Sequence, residues 1–154
     1  MAAIKKSSSS NKPRIAIVAA SFNEFITKRL LKACLAELQA QGLTSRGITT
    51  CWVPGSFEIP LAALKIAQRK DIDAVICLGA VIRGETYHFE VVANECAHGI
   101  MEASLRTGKP VIMGVLTTDT VAQAKARSRG NAGDNKGHEA ALAAVEMIAI
   151  LRKI

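Results

Sequence analysis

Leu78-Gly-Ala-Val-Ile-Arg-Gly-Glu-Thr-Tyr-His-Phe-Glu90 decides how this chain folds. Its first five residues, Leu78 to Ile82, together with Asp73-Ala-Val-Ile-Cys before them, form the longest apolar run in the sequence. A run of that length, bounded by turn residues, reads as a strand buried on both faces. Gly84-Glu85-Thr86 then breaks the run, and a helical pattern begins near Tyr87 and continues to about Arg106, where Gly108 closes it. A buried strand, a glycine turn and a helix in succession make one βα unit. Its loop presents free backbone N–H groups at a helix start, where an anion can sit.

The same unit recurs on either side. Arg14 to Ala20 reads as a first buried strand, followed by the turn Ser21-Phe22-Asn23 and a helix over about 24–41 that Gly42 stops. Gly47 to Val53 is a second strand, broken by Pro54-Gly55-Ser56. A helix over about 59–69 follows, with Pro60 in its first turn. Pro110 to Thr117 is the fourth strand. A short helix over about 120–128, a glycine-rich loop over 129–137 and a last helix over about 138–151 complete the chain. Four alternations of strand and helix predict a mostly parallel sheet with helices on both faces. At 154 residues the chain fits one domain, expected over 13–154, with residues 1–12 expected as a flexible tail.

In a parallel sheet the carboxyl ends of the strands share one edge, and that edge is where open α/β folds bind ligands. Phe22-Asn23, Gly55-Ser56-Phe57-Glu58, Gly84 to His88 and Thr117-Thr118-Asp119 all fall there. Gly79 to Thr86 has the glycine spacing of a nucleotide-binding P-loop, but Glu85 stands where that loop needs lysine, which excludes an NTPase. What remains is either a phosphate cradle or an ordinary βα turn with Thr86 near the helix cap. His88, in the first helical turn, is either a proton carrier or a capping histidine. Phe22 and Phe57 either grip a flat heterocycle or cover the end of the core. Glu58 either accepts hydrogen bonds from hydroxyls or complements the helix dipole. Arg127, Arg129 and Lys136 flank the glycine-rich loop. They suit a phosphate or form a solvated basic surface. His98 and His138 carry no partner signal.

Composition narrows the function classes. The formal charge of +7 favours anionic ligands, but no nucleic-acid module and no aromatic interleaving accompanies it. Cys34, Cys51, Cys77 and Cys96 form no CxxC pair, so neither a zinc nor a redox motif is expected, and four free thiols suit the cytoplasm. The N-terminus lacks the apolar core of a secretory signal, and no segment reaches membrane-span length.

Taken as a set, Ser21-Phe22-Asn23, Val53 to Pro60, Leu78 to Glu90, Gly114-Val-Leu-Thr-Thr-Asp-Thr120 and Asn135-Lys136-Gly137 resemble the lumazine synthase family in order and spacing, over about 13–154. The resemblance implies a flavodoxin-like three-layer α/β/α sandwich with a four-stranded parallel sheet. It implies condensation of 5-amino-6-ribitylaminouracil with 3,4-dihydroxy-2-butanone 4-phosphate. The products are 6,7-dimethyl-8-ribityllumazine, phosphate and water, in the penultimate step of riboflavin biosynthesis, with no metal or organic cofactor.

Carried over, Phe22 resembles the ring that stacks on the pyrimidine, and Asn23, Ser56, Phe57 and Glu58, with Gly55, the ribityl side. Val81 and Ile82 resemble the heterocycle pocket, Gly84, Glu85 and Thr86 the phosphate turn, His88 the proton-transfer residue and Arg127 the phosphate arginine. Lys136 matches the family's lysine on the substrate side. Met113 stands where the family often has phenylalanine, a residue that closes the pocket from the neighbouring subunit, and the loop over 128–134 reads as one residue longer than the common form. The resemblance implies small-molecule substrates and a homo-oligomer, a pentamer or a sixty-subunit shell, with active sites between adjacent subunits. Riboflavin synthase is a candidate partner. The competing readings are a flavin- or pyrimidine-binding protein without catalysis, a mainly structural shell protein and, last, a nucleic-acid binder.

Overall fold

The computed structural model describes residues 12–154. Apart from Lys12, the expected N-terminal tail lies outside the described residues. The chain runs β1 (Ile15–Ala20), α1 (Glu24–Ala40), β2 (Ile48–Val53), α2 (Ile59–Ala67), β3 (Ala74–Ile82), α3 (His88–Thr107), β4 (Val111–Thr118), α4 (Val121–Ala126) and α5 (Lys136–Leu151). Short 3-10 turns at Ser45–Gly47 and Ser56–Glu58 lead into β2 and α2. The four strands form one parallel sheet in the order β2-β1-β3-β4, between two layers of helix. The parallel sheet covered by helices on both faces is the one expected from the alternation of elements, and the whole is the flavodoxin-like α/β/α sandwich that the resemblance implies.

The two continuous apolar runs occupy the two central positions. All six residues of β1 are buried, as are eight of the nine in β3. Successive side chains alternate between faces. Ile15, Ile17, Ile76 and Leu78 pack against α1 and α5 through Ile26, Leu30, Leu38, Ala141 and Ala144. Ala16, Val18, Val75 and Cys77 pack against α2 and α3 through Ile59, Ala63, Cys96 and Ile100. Burying each large aliphatic side chain contributes about 1.5–3 kcal/mol, so the two layers are held chiefly by these stripes. Small residues let the layers close. A Cβ at Gly137 would collide with the Leu30 carbonyl, and one at Gly99 would lie 2.5 Å from Pro60 Cβ.

Element boundaries move by a residue or two, and one of these shifts is instructive. The last helix was expected from about 138 but begins at Lys136, because Asn135 caps it: the Asn135 carboxamide oxygen accepts from Gly137 N at 2.8 Å. That side chain is fully buried and also donates to the Gly130 carbonyl at 2.9 Å. A glycine-rich loop is thereby folded back onto the helix it precedes. His138, which carries no partner signal in the sequence, lies with Nδ1 3.2 Å from Glu37 of α1.

Candidate active site

The chain leaves β1 in one direction to form β2 and returns on the other side to form β3. This makes the β1/β3 junction the topological switch point, where the loops diverge and open a crevice. A cavity of about 650 Å³ occupies that position. Its rim is built from the ends of three strands. The turn after β1 is fastened to the end of β2, where Ser21 N donates to the Val53 carbonyl at 2.8 Å and Phe22 N to the Pro54 carbonyl at 2.9 Å. Asn23 takes the left-handed conformation, φ 58°, one of the few non-glycine residues that tolerates it. Its amide nitrogen donates to the Ala80 carbonyl at 2.9 Å. One asparagine thus starts α1, ties it to β3 and lines the cavity.

Val81, Ile82, Phe89, Val91 and Val92 give the cavity apolar lining, and Ser56, Glu58, Thr86 and His88 give it polar lining. Phe22 is 72% exposed and Phe57 54%. Neither ring covers the core, which removes the packing explanation for both. Glu58 folds over the 3-10 turn so closely that a Cβ on Gly55 would meet its carboxylate oxygen at 3.1 Å. The glycine therefore makes room for the acid. Gly84, Thr86 and His88 are exposed along the opposite rim, and His88 N donates to the Thr86 hydroxyl at 3.4 Å.

Eleven of the fifteen candidate residues line this one cavity: Phe22, Asn23, Gly55, Ser56, Phe57, Glu58, Val81, Ile82, Gly84, Thr86 and His88. Glu85 is exposed in the same turn without lining it. All four strand ends share one edge of the parallel sheet, as expected, but only those of β1, β2 and β3 line this cavity. β4 is the outer strand, separated from β1 by β3, so its tip does not reach the switch point. Thr117 instead lines a second cavity of about 380 Å³ between β4 and α5, together with Met113, Arg127, Lys136 and Glu139. Met113 is 43% exposed there. Arg127 rather than Arg129 lines this cavity. Lys136 Nζ is paired with Glu139 at 2.8 Å. Phe89, Val91, Val92 and Pro54 line the first cavity but were not singled out from the sequence. Phe89 was legible in principle, as the aromatic residue next to His88 in the first turn of α3.

Among the described residues there is no cluster of three or more histidine, cysteine or acidic side chains able to hold a metal ion, and no helix long and apolar enough to cross a membrane. Three of the four thiols are buried. Burial pushes the Cys34 thiol up to about 12 and the Cys96 thiol up to about 11, and raises that of Cys77 as well.

A parallel α/β/α sandwich with a switch-point crevice, exposed rings on one wall and a glycine turn on the other is the architecture of a small-molecule enzyme of the flavodoxin-like class. The comparisons carry this further. Residues 12–152 match the family model for 6,7-dimethyl-8-ribityllumazine synthase. The 6,7-dimethyl-8-ribityllumazine synthases of two strains of Thermus thermophilus are each 51% identical to this chain over 141 residues, covering 92% of it and 89% of the relative. The chain belongs to the 6,7-dimethyl-8-ribityllumazine synthase family and is an enzyme of riboflavin biosynthesis.

Proposed function

We propose that the two cavities of this chain are the two halves of one active site, completed when the β4/α5 face of one subunit meets the switch-point rim of its neighbour in a homo-oligomer. The reaction is the condensation of 5-amino-6-ribitylaminouracil with 3,4-dihydroxy-2-butanone 4-phosphate to 6,7-dimethyl-8-ribityllumazine. The observation that carries the reading is the separation of the candidate residues. Stacking, hydroxyl-binding and proton-carrying side chains line one cavity, whereas Met113, Arg127 and Lys136 line the other. A single chain offers no second wall to its exposed rings, and a neighbouring copy supplies one.

Each group then has a physical task. Phe22 stacks on the pyrimidine, and Val81 and Ile82 confine it. Asn23, Ser56, Phe57 and Glu58, with the space opened at Gly55, hold the ribityl chain. The Gly84-Glu85-Thr86 turn and Arg127 of the adjacent subunit hold the phosphate. Lys136 adds positive charge beside it, and Met113 closes the heterocycle pocket from that subunit. The primary amine attacks the ketone, and the adduct loses water to give an imine. Proton removal from the neighbouring carbon expels phosphate and leaves an enol, which tautomerises to a ketone; the second amine attacks that ketone and closes the ring with loss of another water. None of these steps needs a strong nucleophile. They need alignment and proton transfer, which His88 performs at the rim.

Exposed apolar groups support assembly. Trp52 on the edge strand β2, Leu61 on α2 and Met101 and Leu105 on α3 all lie at the surface of the single subunit. The family resemblance favours a pentamer or a sixty-subunit shell of twelve pentamers, which light scattering separates by mass. Riboflavin synthase, which consumes the product, is the proposed protein partner. Four free cysteines support a reducing, cytoplasmic location. The deciding experiment mixes the purified protein with both substrates and follows lumazine absorbance and fluorescence. Turnover is expected, and tight flavin binding without turnover would replace this reading with a binding protein.

A further inference from the structure

Arg83 stands immediately before the glycine turn, outside the set of residues that line the cavity, and its side chain is tied to three places at once. Nε donates to Asp119 at the tip of β4 at 2.7 Å. Nη1 pairs with Glu90 in the first turn of α3. The guanidinium lies over the Phe89 ring, 4.3 Å from its centre, and Phe89 lines the cavity. The backbone adds a fourth tie, because Arg83 N donates to the Thr118 carbonyl at 2.9 Å. The hydrogen bonds to Asp119 and Glu90 raise the guanidinium further above its already basic range, and pairing with Arg83 holds the Glu90 carboxyl below its usual range.

The segment bracketed by these ties is Gly84 to His88. It is exposed throughout, and its own hydrogen bond, from His88 N to the Thr86 hydroxyl, is long at 3.4 Å. An exposed turn beginning with glycine is free to sample many conformations, and ordering it upon ligand binding opposes affinity. The planar arginine fork joins the entrance of the turn to its exit, Glu90, seven residues on. It also joins both to β4, whose body lines the second cavity. An arginine can make these contacts together. A lysine, as a point charge, makes fewer of them.

We infer that Arg83 is a positioning residue: by clasping Asp119, Glu90 and Phe89 it holds the Gly84–Thr86 turn in its anion-receiving shape, and so sets affinity for the phosphorylated ketone selectively over the amine. This rests on the reading of that turn as the phosphate holder. The test compares wild type with R83M and R83K as assembled protein, in two readouts: titration with inorganic phosphate, and steady-state KM for each substrate. R83M is expected to weaken phosphate binding and raise the KM of the phosphorylated ketone about tenfold, with the amine KM within about twofold. R83K is expected to recover part of that loss. D119N removes one tie without touching the turn, and is expected to shift the same two quantities in the same direction by a smaller factor.

Unchanged phosphate affinity in R83M and D119N, or equal increases in both KM values, overturns the inference. The phosphate titration keeps it separate from the catalytic reading. Loss of phosphate binding in a protein that makes no lumazine upholds the clasp and removes the reaction. Turnover with an indifferent R83M does the reverse.

Discussion

From Ile15 to Ala20 every side chain of β1 is buried, whereas Phe22, two residues further on, is 72% exposed. The strand and the turn after it obey different rules. In the strand, each residue is explained by what it packs against, and alternation alone assigns it to one helix layer or the other. In the turn, packing accounts for nothing. A large ring faces solvent, and an asparagine takes a left-handed backbone and spends its amide group on a β3 carbonyl, while in the turn after β2 an acid folds over a glycine. Residues that break local preferences without stabilising the core are the ones that point to a ligand.

That contrast can be broken from either side. The largest expected effect is in the packed region. Gly137→Ala would drive a Cβ into the Leu30 carbonyl, forcing α1 and α5 apart. We expect a loss of about 3 kcal/mol in denaturant unfolding, and a loss below about 1 kcal/mol would show that the contact yields. On the rim the effects fall on the reaction instead. His88→Ala is expected to lower kcat at least about tenfold with little change in either KM, because an open rim lets water take over part of the proton transfer. Wild-type turnover would remove the role assigned to that histidine. Phe22→Ala is expected to raise the KM of the pyrimidine amine about tenfold while leaving the melting temperature unchanged, since the ring buries little. A matching drop in melting temperature would place Phe22 with the core after all.

The smallest effect is in the thiols. Because burial raises Cys34 and Cys96 to about 12 and about 11, the unfolded chain releases their protons first as pH rises past about 9, while the native chain keeps them. The unfolded state then binds fewer protons, so the thiols' contribution to stability is level below pH 9 and falls above it, through the raised values. Titration of native protein with a thiol reagent should find no more than one reactive cysteine per chain, Cys51. Two or more would contradict the burial of the others.

Legibility in the sequence follows the same division. β1 and β3 were readable because a strand buried on both faces must be apolar throughout, and the glycine and proline breaks between elements were readable because backbone geometry demands them. The switch-point residues were readable because a parallel sheet gathers the carboxyl ends of its strands. Three features were not. Strand order placed β4 at the outside, which moved Thr117 and its neighbours away from the crevice. Asn135 stood out only as part of the Asn135-Lys136-Gly137 motif at the end of a glycine-rich loop, and nothing local showed it to be a fully buried cap. The pairs Arg83–Asp119 and Glu37–His138 join residues far apart in the chain, and no local pattern announces such partners.

The separation of the two cavities is tested most directly by mixing subunits. H88A damages the switch-point rim, and R127A damages the β4/α5 face. If each site takes one wall from each of two neighbours, an equal mixture of the two variants, unfolded and co-assembled, restores intact sites wherever a chain with His88 meets a neighbour with Arg127. That amounts to about a quarter of all sites in random assembly. Activity at low ketone phosphate should then rise well above that of either variant assembled alone and approach about a quarter of wild type. Co-assembled protein no more active than the average of its two parents would show that the walls do not come together between subunits.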